Sequence, residues 1–302
     1  MPVFILDKPL GVTSHDVVAK ARRLLKTRAV GHAGTLDPLA TGVLVLLSDD
    51  ATKLSPFLTA SEKRYLAWVS FGAGTPTLDA EGPIDHTGDA SSVTAEGIEA
   101  VLSPFLTLTE QMPPQYSAVK RGGVKGYEAA RKGETLKLEP RPAGYKSIEL
   151  LGFARSREAL EPPPLPHPLT LPPTLGDFPT ALFSVNVQAG TYLRAFARDL
   201  GASLETPAHL SGLVRTQSGT FGLEKAVTLE TLSDAAGLGL ADALPYPLLE
   251  LSTEEVARVR QGQRLPATGL SEGRLGLVDG ARALVAVAEV NADRMTLLRV
   301  WH

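Results

Sequence analysis

Gly31-His32-Ala33-Gly34-Thr35-Leu36-Asp37-Pro38-Leu39-Ala40-Thr41-Gly42-Val43-Leu44 is the stretch on which the reading of this chain turns. Its glycines and proline punctuate a loop that carries one carboxylate, Asp37, and residues 43–47 follow as an apolar run of strand-forming type. A carboxylate displayed on a loop ahead of a buried strand is well placed to do chemistry. Asp-Pro is also a common turn pair that only shapes the backbone, so the local sequence leaves both readings open.

Upstream, residues 3–7 read as a short strand ending in a Lys8-Pro9 turn. Thr13 or Ser14 then caps a helix with Asp16 in its first turn, and Val17, Val18, Ala21, Leu24 and Leu25 recur at helical spacing. Downstream, residues 65–71 form a strand, 75–88 an acidic loop, and 93–102 a helix. An extended proline-directed segment over 112–120 gives way after Gly122-Gly123 to a helix over 127–132, and 145–154 returns to strand. Residues 161–179 hold eight prolines, which exclude helix and central strand and predict a surface loop. Residues 181–187 are a strand. Thr191 is expected to cap a helix over 192–204, with Arg194 and Arg198 on one face at i,i+4. Residues 225–245 read as helix and loop, and the tail shows strand-like runs at 275–278, 283–290 and 295–300.

Length and composition fit a globular chain of one large and one small domain: 302 residues, 43% hydrophobic and 21% charged. No run approaches the ~20 apolar residues of a membrane span. The first residues lack the basic region and cleavage site of a signal peptide, so a cytoplasmic location is expected. With no cysteine, disulfides, thiolate catalysis and Cys-based zinc sites are excluded. There is no dinucleotide fingerprint, phosphate loop, calcium-loop pattern or His-Glu-x-x-His, so neither cofactor nor metal is expected. Net charge is −3, yet residues 120–146 hold eight Lys or Arg against three Asp or Glu, and Arg22, Arg23, Lys26 and Arg28 form a second basic cluster. A basic face is therefore compatible with the negative total.

The loop around Asp37 closely resembles the catalytic loop of the TruB family of tRNA pseudouridine synthases, and further motifs match in chain order. These are Leu6-Asp7-Lys8-Pro9 with Gly11 and Thr13-Ser14; Lys63-Arg64-Tyr65; Phe71-Gly72 with residues 75–82; Pro113-Pro114-Gln115-Tyr116-Ser117-Ala118-Val119-Lys120 with residues 126–131; Gly190-Thr191-Tyr192-Leu193-Arg194 ending in Asp199-Leu200-Gly201; and residues 210–221. The tail resembles a PUA domain, most clearly at Gly262-Gln263-Arg264-Leu265-Pro266. Departures fall at Ala33, Pro76, Val187-Gln188-Ala189 and Val214, and none removes a catalytic group.

The resemblance implies an α/β (α+β type) architecture. A catalytic domain with a largely antiparallel mixed sheet is expected over 1–245, with an RNA-contacting insertion at about 75–145, and a small β-rich PUA domain over 246–302. It implies isomerisation of the T-loop uridine at position 55 of tRNA, with Asp37 as nucleophile. Arg194 would pair with Asp37, and Tyr65 would lie against the flipped uracil and accept its C5 proton. His32, Lys8, Lys120, Lys125, Arg131 and Leu213 would contact the RNA, Lys8 by touching phosphate unless it instead orders the site. The implied partner is the T-arm stem-loop of tRNA, with no obligatory protein partner and a monomeric chain. A guide-dependent rRNA-modifying relative and a non-catalytic tRNA-folding chaperone are the competing readings.

Overall fold

The computed structural model describes residues 2–117, 120–121, 124–125, 136–292 and 294–302, with side chains outside 118–135. Its centre is an eight-stranded sheet, mixed but mostly antiparallel. We label its long strands β1 (Val3–Lys8), β2 (Val30–Ala33), β3 (Ala40–Ser48), β4 (Lys63–Phe71), β5 (Tyr145–Ala154), β6 (Thr180–Val187) and β7 (Ala208–Ser218). The order is β1-β3-β7-β4-β6-β5, with β2 hydrogen-bonded to β3 and a short strand at Phe221–Gly222 on β7. The one parallel pairing among these described strands is β3 with β7, where Leu213, Val214 and Arg215 lie opposite Ala40, Thr41 and Gly42. That pairing brings the exit of the Asp37 loop beside Arg215.

β3 is buried along its whole length, which explains its continuous apolar sequence. Alternation sends Leu44 and Leu46 to one core, with Tyr65, Ala67, Val69 and Phe183, and sends Val43, Val45 and Leu47 to the other, with Leu66, Trp68 and Val214. Truncating a leucine such as Leu46 to alanine in such a layer costs about 2–5 kcal/mol.

The first face carries both long helices of this domain, α1 (Ser14–Leu24) and α2 (Leu193–Ser203). α1 begins with a capping box between Thr13 and Asp16. Ser14 is free for another task, because Thr13 is the cap. α2 is capped differently from the sequence expectation. Tyr192 is its N-cap, without a side-chain cap, and the Thr191 hydroxyl instead accepts from the Gly144 N–H at 3.0 Å.

The opposite face is covered by the proline-rich segment and by the tail. Leu165, Leu169 and Leu171 pack on the second core, so the segment is a strap over the sheet rather than a free loop. The tail forms its own four-stranded sheet of β8 (Leu248–Glu250), β9 (Gly273–Val278), β10 (Leu284–Asn291) and β11 (Arg294–Val300), with helix α3 (Thr253–Arg260) against β10. The last three strands fall within two residues of the sequence expectation, whereas α3 and β8 have no counterpart in it. Val278, Leu284, Val287 and Trp301 join the tail to the second core, and the Trp301 indole N–H donates to the Asp50 carbonyl at 3.1 Å.

The helix expected within 225–245 is absent. Only a single 3-10 turn, Leu232–Asp234, forms wholly inside this range, and residues 227 and 238 make isolated bridges to β1. The chain here is an edge cover for β1, so its apolar residues follow β1 and not a helical period. The helix expected over 127–132 lies outside the described residues.

Candidate active site

The Asp37 loop joins β2 to β3, and side chains and main-chain groups from elsewhere grip it along its length. From β7, Arg215 donates to the carbonyls of Gly34 (3.0 Å), Thr35 (3.3 Å) and Val43 (2.6 Å). Ser14 Oγ donates to the Leu36 carbonyl at 3.0 Å and accepts the Leu36 N–H at 2.9 Å. The Pro38 carbonyl accepts from the Gly11 N–H at 2.9 Å and from Lys8 Nζ at 3.4 Å. Asp7 Oδ1 accepts the Gly42 N–H at 3.1 Å. Gly42 has φ +94°, and a Cβ there would collide with the Arg215 carbonyl oxygen, so only glycine lets β3 approach β7 at this point.

Within this frame Asp37 keeps its side chain 38% exposed, while Arg194 is almost wholly buried beside it. Arg194 Nε stands 2.9 Å from Asp37 Oδ2 and 3.5 Å from Asp79 Oδ2. The contacts are ion pairs by distance, since the Nε–H points squarely at neither carboxylate. The remaining guanidinium nitrogens are committed to main chain: Nη1 donates to the Thr77 carbonyl and Nη2 to the Tyr116 carbonyl, each at 3.0 Å. One arginine thus ties together α2, the acidic loop, the Tyr116 main chain and the Asp37 loop.

Two more carboxylates face this pair. Asp79 is 1% exposed and accepts from Thr77 Oγ1 at 2.6 Å and the Glu81 N–H at 3.1 Å. Burial raises its pKa, while Arg194 and the hydrogen bonds oppose the rise. Glu81 accepts the Leu39 N–H, and burial together with Asp79 and Asp37 pushes its pKa up to about 7. The Tyr192 phenol is likewise raised, by burial first and then by Asp37.

Tyr65 sits on the same sheet face, opposite Arg215 and Val185 in the strand register, and is 8% exposed. Leu213 is buried on β7, next to Ala40 and Ala67. His32 lies on β2, half-buried, its ring edge-on to His15 at 5.7 Å. Its Nδ1 is buried without a partner, and burial lowers its pKa, so the ring is neutral near pH 7. Lys120 and Lys125 face each other in the register of two short antiparallel strands, and Arg131 lies outside the described residues.

Lys8 requires a correction. Of the two implied roles, ordering the site and touching phosphate, the geometry fits the first and not the RNA contact: Lys8 is 0% exposed, with Nζ donating to the carbonyls of Val12 (2.7 Å), Pro9 (2.8 Å) and Pro38 (3.4 Å). Burial lowers its pKa to about 8. It pins the base of the loop from beneath, out of reach of a phosphate. In sequence, Asp79 and Glu81 are only part of an acidic loop and Arg215 only part of a motif. Their long-range partners, Arg194 on α2 for Asp79, Leu39 for Glu81, and Gly34, Thr35 and Val43 for Arg215, lie far away in sequence, which no local pattern announces. Among the described residues no group of His, Cys, Asp or Glu could hold a metal ion.

The family model "TruB family pseudouridylate synthase (N terminal domain)" matches residues 22–193, and "tRNA pseudouridylate synthase B C-terminal domain" matches 194–243. The chain is 49% identical to a tRNA pseudouridine synthase B of Thermus thermophilus, over 100% of this chain and 99% of that protein. It is 46% identical to the same-named protein of Deinococcus radiodurans, over the full length of both. Among solved structures, a chain in the crystal structure of a Cbf5-Nop10-Gar1 complex superposes with a TM-score of 0.71 at 26% identity, covering 99% of this chain and 84% of that one. The chain belongs to the TruB family of pseudouridylate synthases.

Proposed function

We propose that this protein converts the T-loop uridine of tRNA, position 55, to pseudouridine, with Asp37 as the nucleophile. The observation that carries the reading is the Arg194–Asp37 pair: a buried guanidinium 2.9 Å from a carboxylate that keeps an exposed edge. The reaction breaks the C1′–N1 bond, turns the uracil and joins C1′ to C5. The C5 proton is then lost and N1 gains one, so no electrons leave or enter and no redox cofactor is needed. Asp37 supplies the electron pair for covalent catalysis, and Arg194 balances its charge. A uridine inside a folded loop must leave the stack to reach Asp37. Tyr65 and Leu213 then wall the base and Tyr65 accepts the C5 proton, while neutral His32 occupies the gap in the RNA. Lys120, Lys125 and Arg131 contact phosphates of the T-arm, and the four-stranded tail, read as a PUA domain over 246–302, extends the RNA surface.

Full-length identity of 46–49% to proteins named for tRNA favours tRNA over the guided rRNA reading that the 26% structural likeness alone would allow. No described helix is long and apolar enough to cross a membrane. With tRNA as the substrate, the expected site of action is the cytoplasm.

The test is tritium release from a T-arm stem-loop labelled at uracil C5, with wild type beside Asp37→Asn. Release by wild type alone supports the reading. Tight binding by both proteins with release by neither overturns it in favour of an RNA chaperone or a partner-dependent enzyme.

A further inference from the structure

Arg194 owes its place to the first turn of α2, and that turn has no side-chain cap of its own. The main chain of its N-cap, Tyr192, is instead held by Gln111, a buried residue on the short strand that opens the root of the insertion. Gln111 Oε1 accepts the Tyr192 N–H at 3.0 Å, and its Nε2 donates to the Tyr192 carbonyl at 3.3 Å. The same Nε2 donates to the Tyr145 hydroxyl at 2.8 Å. The Tyr145 ring is fixed between Phe105 and Phe196, at centroid distances of 6.0 and 5.6 Å, so the amide is held in one orientation.

The helix returns the connection. Arg194 Nη2 donates to the Tyr116 carbonyl and Arg198 Nη2 to the Met112 carbonyl, each at 3.0 Å. The segment 111–116 and the N-terminal half of α2 are therefore sewn together from both sides. Arg194 lies two residues beyond the peptide that Gln111 grips, so a shift of that peptide moves the guanidinium relative to Asp37. A displacement of about 1 Å in a reacting constellation can cost about 100-fold in rate.

We propose that Gln111 is a positioning residue for the reaction: it sets Arg194 against Asp37 by clamping the Tyr192 peptide, and it links the root of the insertion to the catalytic pair. The proposal rests on the reading of Asp37 and Arg194 as the reacting pair. It assigns Gln111 no contact with the substrate.

The experiment is a double-mutant cycle read as single-turnover tritium release at saturating enzyme, with tRNA affinity measured in parallel. Gln111→Leu removes the clamp while keeping side-chain bulk, and is expected to slow release about 10-fold or more with Kd changed less than about twofold. In an Arg194→Lys background the same change is expected to cost nothing further, because the group it positions is gone. Tyr145→Phe removes only the hydroxyl that orients the amide. It is expected to slow release about twofold to threefold, and to have no effect once Gln111 is Leu.

A wild-type rate for Gln111→Leu overturns the proposal, as does a loss that multiplies on top of the Arg194→Lys loss. If Gln111→Leu fails to fold, Tyr145→Phe decides alone, and a wild-type rate there overturns the proposal. Wild-type release reports on the isomerase reading itself. Should wild type release no tritium, the nitrogen-15 Nε–H resonance of Arg194, assigned by its loss in Arg194→Lys, still decides: it shifts in Gln111→Leu or Tyr145→Phe if the proposal holds and stays in place if it does not.

Discussion

Arg215 Nη2 donates to the carbonyl of Gly34 at 3.0 Å, so a side chain from β7 holds the backbone three residues ahead of Asp37. With its bonds to Thr35 and Val43, this one guanidinium fixes both entry to and exit from the Asp37 loop. Arg215→Lys keeps a charge but has no fork with which to reach three carbonyls. It is expected to fold, to bind tRNA near wild-type affinity, and to slow single-turnover release about 10- to 100-fold. A wild-type rate would show that the loop holds its shape without the clamp.

Gly42→Ala places a methyl group against the Arg215 carbonyl in a residue at φ +94°. Strain and collision act together, and both strands involved are central. The expected loss is about 3 kcal/mol or more in a urea titration. A loss under about 1 kcal/mol would mean that the β3–β7 approach relaxes easily.

Lys8→Met removes a buried ammonium and its donors to Pro9, Val12 and Pro38. Leaving the part-buried Val12 carbonyl without this donor costs about 1–3 kcal/mol, partly offset by relief of the buried charge, while the Pro38 carbonyl keeps the Gly11 N–H. A lower melting temperature is expected, together with an unchanged slope of log Kd against log salt. A slope smaller by about one would return Lys8 to the role of phosphate contact.

Glu81 keeps its proton in the folded protein up to about pH 7, whereas the unfolded chain releases it near 4.5. Below about pH 4.5 that bound proton favours the fold, and the advantage is lost as pH rises through 7. Glu81→Gln carries a neutral group at every pH. Its melting temperature relative to wild type is therefore expected to rise between about pH 5 and about pH 8. A constant difference would place Glu81 in an ordinary solvated setting.

Strands β1, β5 and β6 are legible in the sequence to within a residue at each end, whereas β4 starts two residues and β3 three residues before the expected runs. β3, β4 and β6 announce themselves because burial on a central sheet demands apolar, β-favouring runs. The start of α1 is legible because a Thr13–Asp16 capping box is a local signal. The Asp37–Arg194 pairing comes from family resemblance, since nothing in either local sequence points to the other. Residues 225–245 mislead because apolar residues that cover an edge strand carry no periodicity of their own. Lys8 misleads because a lysine beside a proline turn reads as exposed, and only the third dimension supplies the carbonyls that bury it. Gln111 and the clamping role of Arg215 escape for a common reason: a buried polar side chain that binds distant main chain leaves no mark on its neighbours in sequence. Glu81 escapes because its charged neighbours, Asp79 apart, come from elsewhere in the chain.

The grips on the Asp37 loop come from residues 7, 8, 11, 14 and 215, and the arginine that faces Asp37 from residue 194. A ribosome delivers them in that order of number. The nascent chain thus carries Asp37 for most of its synthesis without a formed frame around it. That frame closes only when β7 has emerged and inserted between β3 and β4. Completion of the central sheet and of the frame around Asp37 are therefore one event.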